Sequence, residues 1–265
     1  MTGLQLVVLA IVQGLTEFLP ISSSGHLVLV PAALGWSDQG MAFDVAVHLG
    51  SLAAVLAYFR SDVAALLRGS VQVLGAEVAT NESRMALAIG LGTIPAAFAG
   101  LMSADWIGEN LRDPSVIVVT LSVYAVLMLL ADRFGRRDRQ FTEVRIKDAL
   151  LIGLAQALAL VPGTSRSGVT MTAAMALGFK RTDAARFSFL LAVPVILLAA
   201  GYELIILINA DTAVAWGQLG IGALISALVA YASIKFFMRF VSRVGLMPFA
   251  IYRLVLAAVI FYVLA

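Results

Sequence analysis

The sequence predicts an all-α polytopic membrane protein: an inverted-topology repeat with six transmembrane helices plus two re-entrant helical hairpins. Three observations support this fold class, namely an apolar composition, an internal repeat, and an uneven distribution of basic residues along the chain. Of the 265 residues, 61% are hydrophobic and only 13% are charged. This is more apolar surface than a soluble domain of that length can bury, so the bilayer is the expected solvent.

Several apolar stretches approach the roughly 20 residues that a helix needs to cross the hydrocarbon core. The shortest of them spans the core only if its flanks are included. An apolar stretch near the start of the chain has no basic residue before it and polar residues directly after it, so we do not expect a cleaved signal peptide. The predicted spans are 45–59, 85–103, 115–131, 187–207, 216–237 and 247–265.

An ungapped offset of 143 positions brings polar residues of the two halves into register. The matched pairs are Gln13 with Gln156, Ser22 with Ser165, Ser24 with Ser167, and Gly25 with Gly168. We therefore expect one membrane domain, 1–265, that contains repeat one at about 1–131 and an inverted repeat two at about 148–265. A basic loop, 132–147, joins the two repeats.

The orientation follows from the loops, because cytoplasmic loops carry an excess of Lys and Arg. The basic segments are 60–84, 132–147 and 235–243, and the acidic ones are 105–113 and 209–215. The acidic segments include Asp211 and hold Arg112 as their only base, so we place them outside. Segments 3–35 and 148–178 must then enter the membrane and return. Each repeat has three spans, and because this number is odd, the second copy is inverted relative to the first. We expect the two hairpins to meet near the midplane and both termini to lie outside.

The tip of the first predicted hairpin carries polar groups that are costly inside a bilayer. Gln13 and Glu17 are four residues apart and so share one helical face, and Pro20 ends that helix. A run of serines then supplies an N-cap for the returning helix. Ionisable groups at membrane depth indicate a functional site that faces protein or water. The further candidates in this tip are Ser22, Ser23, Ser24, Gly25 and His26.

The second tip repeats this plan but has a guanidinium, that of Arg166, where the first tip has Ser23. Two converging helix N-termini present free backbone N–H groups and positive dipole ends, which suits an anion. The planar donor fork of Arg166 matches phosphate. Because Glu17 cannot bind an anion directly, it indicates a divalent cation, Mg²⁺ or Ca²⁺, between its carboxylate and phosphate oxygens. The further candidates here are Gly163, Thr164, Ser165, Ser167 and Gly168.

Other charged residues have simpler interpretations. Arg186 and Arg253 are interpreted as snorkelling to an interface, and Asp44, His48 and Glu203 as structural. The formal charge of +2 does not indicate nucleic acid, since the basic residues lie in short loops that set topology. The absence of cysteine excludes a thiol nucleophile and a Cys-ligated metal. An inverted-repeat secondary transporter or lipid flippase is the alternative to an enzyme, because broken helices also form transporter sites.

The two tips together resemble a known family. The stretch from Gln13 through Glu17 to His26, with the serine run between them, and the stretch 162–168 are similar to the bacitracin-resistance family of undecaprenyl-diphosphate phosphatases. The similarity extends over the whole chain. It implies hydrolysis of undecaprenyl diphosphate, a polyprenyl diphosphate lipid, to undecaprenyl phosphate and inorganic phosphate, which recycles the lipid carrier of cell-wall synthesis. It also implies dependence on a divalent cation, a site toward the periplasmic or extracellular side of the bacterial inner membrane, and a homodimer.

The same resemblance implies roles for individual residues. Glu17 corresponds to the acidic, metal-associated residue and Arg166 to the phosphate clamp. Ser23 corresponds to a candidate nucleophile and His26 to a general acid/base or an alternative nucleophile, and the choice between Ser23, His26 and water stays open. Gln13 stands where some members have Glu, so substrate phosphates would supply most of the cation's remaining ligands. The expected substrate-binding residues are Gln13, Ser22, Ser24, Gly25, Gly163, Thr164, Ser165, Ser167 and Gly168.

Overall fold

The computed structural model describes residues 1–111, 113–209 and 215–264. Arg112 and Asp211, which contribute to the predicted orientation, lie outside the described residues. Within the described ranges the regular structure is helical, apart from an isolated bridge between Arg139 and Phe179. The α-helices are α1 (Gly3–Thr16), α2 (Ser23–Leu34), α3 (Met41–Tyr58), α4 (Arg60–Leu74), α5 (Asn81–Asn110), α6 (Pro114–Phe134), α7 (Ile146–Ala157), α8 (Arg166–Ala176), α9 (Arg181–Asn209), α10 (Trp216–Arg243) and α11 (Met247–Leu264).

Five of these helices, α3, α5, α6, α9 and α10, are long and apolar enough to cross a membrane. The apolar helices α1, α2 and α11 are shorter. The chain is therefore a helical, multi-pass membrane protein, as its composition predicts. The finer arrangement of six spans and two re-entrant hairpins stays a prediction.

The charge distribution places segment 60–84 in a cytoplasmic loop and does not predict helix α4. Most of that segment is helical, and only Gly69 of α4 is buried. Arg68 of α4 donates two hydrogen bonds to the Glu82 carboxylate at the start of α5, at 2.8 Å and 3.2 Å. The helix therefore lies near the surface of the described protein, where an exposed ion pair and the close approach of Gly69 to the backbone at Glu82 hold it to α5.

Helix α1 packs against protein along the face that leads to the first tip. A Cβ at Gly14 would lie 2.7 Å from the carbonyl oxygen of Ser226, so glycine is what allows α1 to approach α10 this closely. Ser233 of α10 donates to the Leu15 carbonyl at 3.0 Å. Just beyond α1, the ring of Phe18 is fully buried, with its centroid 5.2 Å from that of Phe189. These contacts fix the first tip inside the helical core.

Ion pairs hold several helix ends together on the side of the basic loop. Asp132, at the end of α6, accepts hydrogen bonds from Arg181 Nε (2.6 Å) at the start of α9 and from the Leu246 amide (3.0 Å) before α11. Arg186 pairs with Asp62 of α4. Arg186 therefore has a carboxylate partner within the protein, which the interpretation as a snorkelling side chain did not include. The end of α6 and the starts of α4, α9 and α11 are linked by these contacts, as expected if they share one membrane face.

Candidate active site

Each hairpin turns at a serine with an uncommon backbone conformation. Ser22 has φ of 72° and Ser165 has φ of 69°, both in the left-handed region that favours glycine. Each Oγ accepts a hydrogen bond from the amide three residues later, that of Gly25 (3.4 Å) or of Gly168 (3.2 Å), and so caps the returning helix. Equivalent residues of the two tips therefore adopt the same local geometry, and α2 and α8 begin directly after the turns.

Glu17 is the centre of a hydrogen-bond network between the two tips. Its side chain is only 6% exposed. Oε1 accepts from Arg166 Nη2 at 2.6 Å, although the two residues are 149 positions apart. Oε2 accepts from Ser23 Oγ at 2.7 Å and from Gln13 Nε2 at 3.0 Å. The structure thus brings together four residues that the sequence predicted for the site, and three of them converge on one carboxylate.

Arg166 is the first residue of α8 and reaches across to the first hairpin. Its side chain is 13% exposed, and its Cζ lies 5.8 Å from the centroid of the Phe18 ring. Ser167 also joins the tips, because its Oγ donates to the Leu19 carbonyl at 3.0 Å. Nη1 of Arg166 is buried and has no hydrogen-bond partner among the described residues. One side of the guanidinium therefore holds Glu17 while the other has a donor left for an anion.

Beside this network lies a cavity of about 450 Å³. Its polar wall contains Glu17, Ser23, Ser24, Ser165 and Arg166. Its apolar wall comes from α5, the turn after α7 and the second half of α9, and includes Ala96, Leu160, Ile196 and Ala200. A cavity with one charged wall and one apolar wall matches an amphiphilic ligand with an anionic head group.

Four polar residues that line this cavity were not predicted as site residues: Asp44, His48, Gln156 and Glu203. His48 Nδ1 donates to the Asp44 carbonyl at 2.7 Å, and His48 Nε2 lies 3.6 Å from Glu17 Oε2. The structural interpretation of Asp44, His48 and Glu203 does not account for this location. The spacing of Asp44 and His48, four apart on one helical face, was a signal for the pair, and the repeat match to Gln13 was a signal for Gln156.

His26 has its hydrogen-bond partners in the turn before α2 and on α11. Its Nδ1 donates to the Ser22 carbonyl, and its Nε2 accepts from the Tyr252 hydroxyl, both at 2.7 Å. The two rings are stacked, with centroids 5.6 Å apart and planes 5° apart. The structure therefore joins His26 to α11, whereas it joins Ser23 to the Glu17 carboxylate.

Arg253 supports the second tip from behind. It is 0% exposed, so its interpretation as a side chain that snorkels to an interface was wrong. Its Nη2 donates to the carbonyl oxygens of Gly163 (3.0 Å) and Thr164 (2.9 Å). Thr120 of α6 adds a hydrogen bond to the Pro162 carbonyl at 2.7 Å. Gly163 and Thr164, expected to bind substrate, thus use their carbonyl groups to hold the shape of the tip.

The described residues do not complete a metal site by themselves. No group of three or more His, Asp or Glu side chains in the described ranges is arranged to hold an ion. Both oxygens of Glu17 already accept hydrogen bonds, but Gln13 Oε1 is buried and has no partner among the described residues. Carboxylate and amide oxygens are donors that Mg²⁺ and Ca²⁺ accept, so these residues fit a cation whose coordination is completed by phosphate oxygens.

The fold and the site define a polytopic helical membrane protein with a buried arginine–carboxylate pair at an amphiphilic cavity. The chain belongs to the family described as Bacitracin resistance protein BacA, whose profile matches residues 6–259. The resemblance found in the two tips is therefore confirmed.

Similar proteins cover the chain from end to end. It is 52% identical over 262 residues to the undecaprenyl-diphosphatase of Nitrosococcus oceani, which covers 99% of both chains. It is 53% identical over 260 residues to that of Hahella chejuensis, covering 97% of both. It is 48% identical over 265 residues to that of Alcanivorax borkumensis, covering 100% of both.

Proposed function

We propose that this chain hydrolyses undecaprenyl diphosphate to undecaprenyl phosphate and inorganic phosphate. Its membership of the BacA family and its full-length similarity to relatives named undecaprenyl-diphosphatase support this function. The structural observation that carries it is the 2.6 Å pair of Arg166 Nη2 and Glu17 Oε1, which joins the two tips beside Ser23. The transporter alternative is not favoured, because these relatives carry the name of a hydrolase.

The head group binds where the two tips meet. Arg166 offers its unpaired Nη1 donor to phosphate oxygens, and a bidentate contact becomes available if its Nη2 leaves Glu17. The first turns of α2 and α8 add backbone N–H groups and positive dipole ends. The prenyl chain extends along the apolar wall formed by α5 and α9. The cavity therefore accommodates both parts of a lipid diphosphate.

Ser23 is the proposed nucleophile, because its hydroxyl already donates to Glu17 Oε2 at 2.7 Å. The Ser23 Oγ–P bond forms on the terminal phosphorus while Glu17 takes the hydroxyl proton. The bond from that phosphorus to the bridging oxygen breaks, and its electron pair and the proton leave with undecaprenyl phosphate. Water then attacks the phosphoserine, gives a proton back to Ser23 Oγ through Glu17, and releases inorganic phosphate. Arg166 stabilises the charge on the transferred phosphoryl group in both steps.

A divalent cation, Mg²⁺ or Ca²⁺, is part of this proposal. Glu17 and Gln13 Oε1 would hold it together with phosphate oxygens, and when bound it neutralises charge on the diphosphate. His26, which accepts a hydrogen bond from Tyr252, stays predicted as an acid/base group. It lies in the same tip as Ser23. The homodimer and the division into inverted repeats also stay predictions.

The cavity is proposed to open toward the periplasmic or extracellular side of the bacterial inner membrane. Asp44 at the start of α3 and Glu203 late in α9 line it, and both lie near helix ends that the charge distribution predicts to be outside. Because the chain has no cysteine, Arg136→Cys in the basic loop gives one labelling site. An impermeant thiol reagent should label it only after the membrane is opened, and labelling in intact cells would overturn this orientation.

The activity is tested with purified protein in detergent and undecaprenyl diphosphate as substrate. Wild-type protein should release inorganic phosphate, and an acid-quenched sample should carry phosphate on Ser23 by mass spectrometry. Ser23→Ala should lose turnover, whereas Ser70→Ala, on the exposed face of α4, should keep it. No phosphate release by wild-type protein would overturn the function, and near wild-type turnover by folded Ser23→Ala would overturn the choice of nucleophile.

A further inference from the structure

Gln156 occupies the position before the last residue of α7 and lines the cavity that also contains Arg166. It is 2% exposed. Its amide nitrogen and its amide oxygen are both buried, and neither has a hydrogen-bond partner in the described part of the chain. A carboxamide carries two donor hydrogens and an acceptor oxygen, and burial without partners is unfavourable. A partner that is not part of the chain is therefore expected at this position.

The repeat mate of Gln156 behaves differently. Gln13 Nε2 donates to Glu17 Oε2 at 3.0 Å, so its donor group is engaged inside the protein. The two glutamines occupy equivalent positions before equivalent tips, yet one supports the Glu17 carboxylate and the other lines the cavity with its amide unpaired within the described residues. Gln156 has no carboxylate four residues later, because Leu160 stands where the first half has Glu17. The amide of Gln156 is thereby left for another acceptor.

We propose that Gln156 is a substrate-binding residue whose amide N–H groups donate to an oxygen of the diphosphate head group. This inference rests on the proposed function and extends it to a residue outside both tip motifs. Ionised phosphate oxygens accept hydrogen bonds, and Gln156 Nε2 and Arg166 Nη1 are two buried donors without a protein acceptor in the described ranges. Both residues line the same cavity, and in this proposal one diphosphate accepts from both donors. A buried water is the competing partner, and it is an outcome of the test.

The test replaces the amide by a side chain of similar length without hydrogen-bonding groups, Gln156→Met. The KM for undecaprenyl diphosphate should rise about tenfold, as for the loss of one hydrogen bond to a charged group, with a smaller change in kcat. The Tm of the substrate-free protein should not fall, because no protein hydrogen bond is removed. Gln5→Met is the matched control: Gln5 is 4% exposed and donates to the Ser37 carbonyl at 2.9 Å. It should lower the Tm and leave the KM unchanged.

A second measurement separates this inference from the proposed function. Binding of inorganic pyrophosphate, measured by calorimetry without turnover, should be about tenfold weaker for Gln156→Met than for wild-type protein. If wild-type protein releases no phosphate, the proposed function fails, and this binding comparison still decides the role of Gln156. Unchanged KM and unchanged pyrophosphate affinity in Gln156→Met would overturn the inference and assign the amide to water. If that variant does not fold, Gln156→Asn, which draws the amide back by one methylene, should raise the KM, and an unchanged KM would overturn the inference.

Discussion

The two hairpin tips have the same backbone plan but different chemistry. Ser22 and Ser165 turn the chain with φ of 72° and 69° and cap the helices that follow. At the next position the first tip has the hydroxyl of Ser23 and the second has the guanidinium of Arg166. The carboxylate that bonds both of them, Glu17, belongs to the first tip. One tip thus supplies a carboxylate and a hydroxyl that contact each other, and the other supplies a fixed positive charge.

The supports behind the tips differ as well, although both come from α11. Tyr252 donates to the imidazole of His26 in the first hairpin, and the next residue, Arg253, donates to the carbonyls of Gly163 and Thr164 in the second. A side-chain contact steadies one tip, whereas backbone contacts steady the other. Two tips with one backbone plan therefore form a two-sided site, because they differ in charge at two aligned positions: Leu160 stands where the first half has Glu17, and Arg166 stands where it has Ser23.

The largest expected effect follows from removing the charge of the second tip. Arg166→Ala should lower phosphate release on the order of 10²-fold or more, because a donor to the transferred phosphoryl group is lost, and should weaken diphosphate binding. Arg166→Lys keeps the charge but loses the planar fork, so it should not restore turnover. Arg68→Ala removes an exposed arginine of α4 and should behave as wild type. Near wild-type hydrolysis by folded Arg166→Ala would mean that the second tip does not take part in the chemistry.

A smaller contrast is expected within the first tip. Glu17→Gln keeps the shape but removes the charge that pairs with Arg166 and accepts the Ser23 proton, so turnover should fall about 10²-fold, and excess Mg²⁺ or Ca²⁺ should not restore it. Gln13→Ala removes only one donor to that carboxylate and should cost less than about tenfold. Both variants are assayed for phosphate release across a cation titration. Equal losses at the two positions would contradict the roles given to them.

The smallest expected effect tests the shared backbone plan. Ser22→Ala and Ser165→Ala each lose a helix cap and should each lower the free energy of unfolding by about 1 kcal/mol. Ser22→Gly and Ser165→Gly also lose the cap, but glycine relieves the cost of a positive φ, so their net change should be within a few tenths of a kcal/mol. Unfolding in denaturant would measure all four. A penalty for glycine as large as that for alanine at either position would show that its φ carries no strain.

The sequence predicted contacts correctly where the residues concerned lie close together in short motifs. Glu17, Ser23 and Arg166 lie in two short polar segments inside apolar surroundings, so their type and spacing were enough to predict that they meet, and the structure places them in contact. Asp44, Gln156 and Glu203 come from α3, α7 and α9, and only the packing of those helices brings them to one cavity.

The burial of Arg253 and the presence of helix α4 were not predicted for other physical reasons. Arg253 was misjudged because its partners are backbone carbonyls, which leave no trace in side-chain patterns. Helix α4 was missed because Arg60 and Arg68 were used to set the topology, while the helical spacing of the apolar residues between and after them was not considered.

The two tips are proposed to form one active site through the Glu17–Arg166 pair. This claim is tested most directly by phosphate release from undecaprenyl diphosphate by Glu17→Gln, Arg166→Lys and the double variant, each checked for folding by thermal unfolding. Residues that act as a unit have non-additive effects, so the double variant should be about as slow as the slower single variant. A double variant whose loss equals the product of the two single losses would contradict the claim, because the two tips would then contribute independently.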